Sequence, residues 1–184
     1  MSDRFSIYKV TDEYIDYLSQ FDKNVMHQGP KYDYKTERDY LGVVLTVDGR
    51  NYYVPFSSYN DGRYNWLRKQ QQVIVKVYDG SNSRDGSNSS NIKPKAFLRL
   101  AHMIPVPKSE CELVRIKDFS SGKYRLIMNE MLYVNKEDNY NRIITKVSKM
   151  KTRWDNNSKY LRGRCLNFDV LEEAYDKWIY EHKK

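Results

Sequence analysis

Histidine and cysteine are scarce in this 184-residue sequence, with three of the first and two of the second. His27 falls in a polar stretch, His102 within an expected strand and His182 almost at the end, and no metal-ligand spacing joins them. That argues against a metal centre and against a paired-histidine ribonuclease mechanism. Cys111 and Cys165 are far apart and outside any Cys-x-x-Cys pair, so they read as reduced, buried thiols of a cytosolic protein. There is no glycine-rich phosphate loop, no GxSxG elbow and no HExxH. The acids Asp33, Glu37 and Asp39 are interleaved with bases, whereas a metal-dependent nuclease needs clustered carboxylates. No apolar run approaches the ~20 residues of a membrane span, and the opening MSDRFSIYKV has no signal-peptide core. These absences describe a soluble cytoplasmic protein without metal or cofactor.

Positive charge and tyrosine are what the chain has in abundance. The formal charge is +8, with 17 tyrosines and 14% aromatic residues. With only 30% of residues charged, this is a folded basic domain that favours a polyanion, most simply nucleic acid. The surplus is uneven. Residues 117–164 carry 12 Lys/Arg against 5 Asp/Glu, and residues 23–116 carry 15 against 9, while both ends are acidic. The positive field therefore comes from the middle and the C-terminal third.

One domain spanning residues 1–184 is expected. Phe5–Val10 alternates like a strand; Thr11 then caps a helix whose Tyr14, Leu18 and Phe21 recur on one face, ending near Asp22. Residues 23–39 form a polar loop long enough to suggest a function. YLGVVLTV-DG-RNYYVPF is the strongest local signal, two strands joined by the Asp48-Gly49 pair of a type I′ hairpin. Pro55 places the second strand's end at an edge or exit, so Ser57 and Ser58 belong at the mouth of the sheet. Further strands are expected at Val73–Tyr78, Ala96–Ile104 and Glu112–Ile116. From Gly122 the pattern turns helical, with Tyr124, Met128, Met131 and Leu132 on one apolar face and Ile143, Ile144, Val147 and Met150 on another. Asp169 and Glu172 read as a capping box for a last helix that docks Leu171, Ala174, Tyr175 and Trp178. The fold class is α+β: a strongly bent antiparallel sheet with helices gathered mainly at the C-terminal end.

One kind of phosphate chemistry survives the absences. RNA carries its own nucleophile, the 2′-hydroxyl. An enzyme has only to orient it, assist its proton and stabilise the charge on the phosphorane, and cations and hydroxyls serve the last role without metal. The polar loop supplies Tyr32, Tyr34, Lys35 and Arg38, and the facing strand end supplies Ser57 and Ser58.

LGVVLTVDGRNYYVPFSS (41–58), LAHMIPVP (100–107) and CLNFDVLEEAYDKW (165–178) resemble, in order and separation, segments of the ToxN/AbiQ toxins, protein partners of type III toxin–antitoxin systems. The AbiQ branch, associated with abortive phage infection, is the nearest in pattern. The resemblance implies a MazF/Kid-like barrel elaborated with helices. It implies a metal-independent, sequence-specific endoribonuclease that leaves a 2′,3′-cyclic phosphate and acts on cellular or phage RNA. It also implies inhibition by a small repeated RNA pseudoknot that the toxin cuts from a precursor, in a toxin–RNA hetero-oligomer. By position, Ser58 matches the family's active-site serine and Ser57 the hydroxyl residue before it. Arg38 falls where a functional lysine stands, and Tyr34, or else Tyr32, matches the loop tyrosine. A lysine found shortly after the serine in some members is Asn60 here, with Arg63 as its other replacement.

Lys146, Lys149, Lys151 and Arg153, in the most basic third, read as phosphate contacts, with Lys123 and Arg125 upstream of them. Lys31, Tyr32, Lys35, Asn60, Arg63 and Lys69 complete the expected RNA-binding set. Charge and aromatics alone fit a non-catalytic RNA- or DNA-binding module equally well.

Overall fold

The computed structural model describes residues 4–26, 38–59, 70–80, 93–118 and 120–183. β1 (Ser6–Val10) runs into α1 (Asp12–Ser19), where the Thr11 hydroxyl accepts from the Tyr14 amide at 3.4 Å. Asp12 and Glu13 add negative charge at the helix's positive end. Tyr14, Ile15 and Leu18 form its buried face. Phe21, expected there, lies past the last turn and is 38% exposed, its ring edge-on to Tyr17.

β2 (Tyr40–Val47) and β3 (Arg50–Ser58) make the expected hairpin. Asp48 and Gly49 both have positive φ, 49° and 77°, as a type I′ turn requires. Pro55 does not end β3, nor is β3 an edge. One side of the strand pairs with β2. On the other side Tyr52 and Tyr53 pair with β6 (Ile104–Pro105), and Phe56, Ser57 and Ser58 pair with β5 (Ala96–Arg99). Backbone amides alternate in direction along a strand, and that of Phe56 points back to Asp39 beside β2. The donor-less nitrogen of Pro55 therefore faces the gap where β3 changes partner, so no ladder bond is lost.

The expected strand Ala96–Ile104 is broken by a 3-10 turn, Leu100–His102, which lets its two halves become β5 and β6. β4 (Ile74–Val77) follows a 3-10 turn at Gln71–Val73, and β7 (Cys111–Leu113) is shorter than the pattern suggested. All pairings are antiparallel, in the order β4-β5-β3-β2-β1-β7 with β6 beside β3, and among the described residues this sheet does not close.

Four helices follow: α2 (Ser121–Val134), α3 (Glu137–Asp155), α4 (Lys159–Arg162) and α5 (Phe168–Glu181). Ile143, Val147, Met150 and Trp154 bury the expected face of α3, which lies across β2. On α2 the buried face is Ile127, Glu130, Met131 and Val134, while Tyr124 and Leu132 are 40% and 48% exposed. Its docking depends on a close approach. Gly80, just after β4, donates to the Asn129 carbonyl at 3.0 Å, and a Cβ there would sit 2.3 Å from the Tyr133 nitrogen. The capping box expected at α5 does not form, because Asn167 caps the helix by accepting from Val170. Asp169 instead accepts from the Trp154 indole at 2.8 Å and from Arg162 at 2.6 Å, and Glu172 from the Tyr52 hydroxyl.

Candidate active site

The two serines end β3 on opposite faces. Ser57 lies opposite Phe97, which lies opposite Lys76; Ser58 lies opposite Ala96, and Ala96 opposite Val77. Directly opposed residues share a face and successive ones alternate. Ser57 thus belongs with Phe97 and Lys76, and Ser58 with Ala96 and Val77. Ser58 is exposed, whereas the Ser57 Oγ is shut off from solvent with no hydrogen-bond partner among the described residues. Tyr59 continues beyond them, its amide donating to the Lys95 carbonyl at 3.0 Å and its ring 6.0 Å from that of Phe97.

The hairpin brings Arg38 and Asp39 to this end, as its register demands. The Phe56 amide donates to the Asp39 carbonyl at 3.0 Å, and Arg38 Nη1 reaches the Phe56 carbonyl at 3.4 Å and Met26 Sδ at 3.8 Å. From α2, Lys123 Nζ pairs with Asp39 at 3.2 Å. Glu130, on the same helix, is 7% exposed. Burial, and then the Asp39 charge, push its carboxyl up to about 7. The folded state therefore holds this proton where the unfolded chain has released it, so stability falls as pH rises from about 4.5 to about 7 and levels off above. Glu130→Gln, uncharged throughout, is expected to be more stable than wild type at pH 8 by up to about 3 kcal/mol and level with it at pH 4. Thermal melts at the two pH values measure this; an equal difference at both would show that Glu130 does not titrate in that window.

Sequence reasoning missed Arg99 and His102. His102 lies in a 3-10 turn rather than in a strand, and Arg99 Nη2 approaches its Nε2 at 3.5 Å. Burial first, then the charges of Arg99 and Arg38, hold the imidazole down at about 3 despite an opposing pull from Asp22. It is a neutral ring among cations, unable to act as a base near neutral pH. No pattern in the sequence marks it, because Arg99 and His102 meet only through the turn that splits β5 from β6.

The basic residues of α3 separate into two groups. Lys151, expected to touch phosphate, is 5% exposed, with its Nζ 2.7 Å from Asp155 and 3.1 Å from Glu172. Burial opposes its charge, but those bonds outweigh it and hold the ammonium above its ordinary value. It is a structural cation within the helix packing. Lys146, Lys149, Arg153 and Arg142 instead line a groove of about 650 Å³ together with Gln71 and Gln72. Lys146 donates to the carbonyls of Gln71 and Ile74 at 2.6 and 2.7 Å, Arg153 to Gln72 at 2.9 Å, and Lys149 is exposed. Arg125 is exposed on α2. Lys31, Tyr32, Tyr34, Lys35, Asn60, Arg63 and Lys69 lie outside the described residues. Among the described residues no three His, Cys, Asp or Glu side chains gather as metal ligands, and no helix is long and apolar enough to cross a membrane.

Residues 6–176 match the family model for toxin ToxN of type III toxin–antitoxin systems. The chain is 31% identical to the endoribonuclease ToxN of Bacillus thuringiensis subsp. kurstaki, over 96% of this chain and 85% of that protein. Among solved structures it resembles AbiQ, a lactococcal anti-phage endoribonuclease, with a TM-score of 0.82 at 24% identity over 98% of this chain and all of that one. It is also similar to a bacterial type III toxin selectively inhibited by a non-coding RNA pseudoknot, with a TM-score of 0.76 at 28% identity over 98% and 100% of the two chains.

Proposed function

The chain belongs to the ToxN family of type III toxin–antitoxin toxins, and from that premise we propose that it is an endoribonuclease that cuts RNA at the end of β3. The observation that carries this reading is the meeting of Arg38 with the Ser57-Ser58 end of the strand, where a fixed cation and an exposed hydroxyl flank one point of the sheet. In this reading the substrate's 2′-hydroxyl attacks the adjacent phosphorus and the 5′-oxygen leaves, so the products are a 2′,3′-cyclic phosphate and a 5′-hydroxyl. Ser58 orients the reacting ribose-phosphate, and Arg38 neutralises charge that grows on the non-bridging oxygens. No metal is needed for either role. The family resemblance assigns the loop tyrosine Tyr34 to the same chemistry. The physiological inhibitor is an RNA pseudoknot, the class of molecule that inhibits the related toxin of known structure. The test is incubation of the purified protein with RNA in EDTA, followed by analysis of the 3′ ends. Cyclic phosphate supports the reading; intact RNA that remains bound makes the protein a binding module.

The groove beside α3 is proposed as a path for the RNA backbone. The double variant Lys149→Ala/Arg153→Ala is expected to lower the slope of log affinity against log salt by about 1.4, the release expected for two single-strand phosphate contacts. Lys151→Ala is the contrasting case. It leaves a cavity at a buried position and removes the cation of the half-buried Glu172 carboxylate, so a loss of about 2 kcal/mol in stability is expected with no change in slope. Filter binding across KCl concentrations and a denaturant titration separate the two outcomes.

A further inference from the structure

The buried face of α2 carries one acid, Glu130, that neither the cleavage chemistry nor the groove beside α3 uses. We infer that Glu130 is a positioning residue for cleavage: as a neutral carboxyl it lets α2 stay seated over the Ser58 face of the sheet, and as a carboxylate it loosens that seat. The inference rests on the reading that RNA is cut at the end of β3.

Register supplies the first argument. The Phe56 amide donates to the Asp39 carbonyl at 3.0 Å, in line with the pairing of Tyr40 and Pro55, so Asp39 lies opposite Phe56. Phe56 and Ser58 are two residues apart on one strand, so Asp39, Phe56 and Ser58 share a face. Ala96 and Val77 belong to that face as well. α2 reaches it from both flanks. On the β2 side Lys123 pairs with Asp39 Oδ2 at 3.2 Å, and beyond β4 the Gly80 amide donates to the Asn129 carbonyl at 3.0 Å. The helix thus bridges the strands that lie between, β5 and β3, at the end where Ser58 is exposed.

The second argument concerns the two acids. Glu130 is 7% exposed and makes no hydrogen bond or ion pair among the described residues. Asp39 Oδ1 is shut off from solvent, also without a partner among them. Burial, and then the Asp39 charge, hold the Glu130 carboxyl up at about 7. The elements around α2 carry further charges. Asp79 accepts from Asn129 at 3.3 Å, Arg142 of α3 donates to the Tyr133 hydroxyl at 3.0 Å, and Lys117 and Asp118 stand in the 3-10 turn before the helix. Of these, and of Lys123 on its own helix, Asp39 is the one whose charge acts on Glu130. Ionised Glu130 sets a second negative charge on the buried face of α2 with no cation of its own, and movement of the helix toward water relieves it. The neutral form prevails below about pH 7 and keeps α2 in place; the hold is lost as pH rises through that value.

Glu130→Gln, which keeps the shape and stays neutral, tests this in two assays from about pH 5.5 to about pH 8.5, both below the melting temperature found at the alkaline end. The first is single-turnover cleavage of a mixed-sequence RNA transcript, taken as the ratio of wild type to Glu130→Gln, which cancels the rise in 2′-hydroxyl reactivity that both share. The second is hydrogen exchange of the Gly80 amide, corrected for its intrinsic rate, which follows the contact between α2 and the sheet without any RNA. The rate ratio is expected to stay within about twofold of one at the acid end and to fall about tenfold at the alkaline end, short of the 10² that a misplacement of about 1 Å costs. Its midpoint should lie at about pH 7. The Gly80 amide of wild type should lose protection over the same range, and that of Glu130→Gln should keep it. Asp39→Asn, with the repelling charge gone, should move the midpoint for Gly80 to lower pH. A rate ratio independent of pH overturns the positioning role, and an unmoved midpoint in Asp39→Asn overturns the coupling to Asp39. A wild-type protein that cuts no RNA at any pH sinks the cleavage reading alone, since Gly80 exchange still decides whether the Glu130 charge unseats α2, and equal exchange in wild type and Glu130→Gln shows that it does not.

Discussion

Ser58→Ala is expected to bring RNA cleavage, and with it growth arrest, down by about 10³ or more, the upper range for losing one preorganised transition-state group. Its fold should be unaffected, because Ser58 is exposed and is the last residue of β3, where its backbone pairing with Ala96 does not involve the hydroxyl. Ser57→Ala is the informative neighbour. The Ser57 hydroxyl is buried and without a partner among the described residues, so its removal relieves an unsatisfied polar group and should leave stability equal or higher. Its effect on cleavage is expected to be smaller, about tenfold, since the hydroxyl is shut off from solvent on the face opposite Ser58. Single-turnover rates and thermal melts of both variants check this. A Ser58→Ala protein that cuts at the wild-type rate removes that hydroxyl from the mechanism, and a larger loss at Ser57 moves the centre to the opposite face of the strand.

The hairpin was legible from the sequence because its signals are local. Asp48-Gly49 specifies the turn, the alternation of YLGVVLTV and RNYYVPF specifies the strands, and together they bring Arg38 to the end that carries Ser57 and Ser58. Pro55 misled because its local rule is indifferent to context: a proline is tolerated in a central strand where the neighbour changes from β6 to β5. The last helix misled for a related reason. Asp169 and Glu172 have capping spacing, yet Trp154, Arg162, Tyr52 and Lys151 claim them through tertiary contacts that outweigh a terminal bond. Lys151 shows the same limit for charge. Basic periodicity on α3 cannot distinguish the buried lysine that pairs with Glu172 from Lys149, two residues before it, which faces solvent. Arg99 and His102 had no sequence signal at all, since their meeting depends on a strand break that hydrophobic pattern does not announce.

Arg38→Ala is expected to cost about 10²–10³ in single-turnover rate, as for one lost transition-state donor. The side chain is placed by two features that the variant leaves intact, the Asp39 carbonyl bonded to the Phe56 amide and the Lys123 pair on the Asp39 carboxylate. Its Nη1 lies 3.4 Å from the Phe56 carbonyl, one peptide short of the serines. A guanidinium stays protonated and presents two parallel donors, so it suits charge stabilisation and cannot take the 2′-hydroxyl proton. The loss should therefore be nearly independent of pH. Arg38→Lys keeps the charge and gives up the fork, and it should recover most of the rate, in line with the lysine that the family resemblance implies at this position. Binding of an inhibitory RNA should weaken much less than the rate falls, because in the proposed reading the basic groove beside α3 shares the phosphate load. Single-turnover cleavage at saturating protein, beside an equilibrium binding curve for each variant, separates the two effects. If Arg38→Ala cuts at the wild-type rate and only its affinity drops, Arg38 is a binding residue, and Lys35 and Arg63 are the next candidates for the cation that meets the transition state.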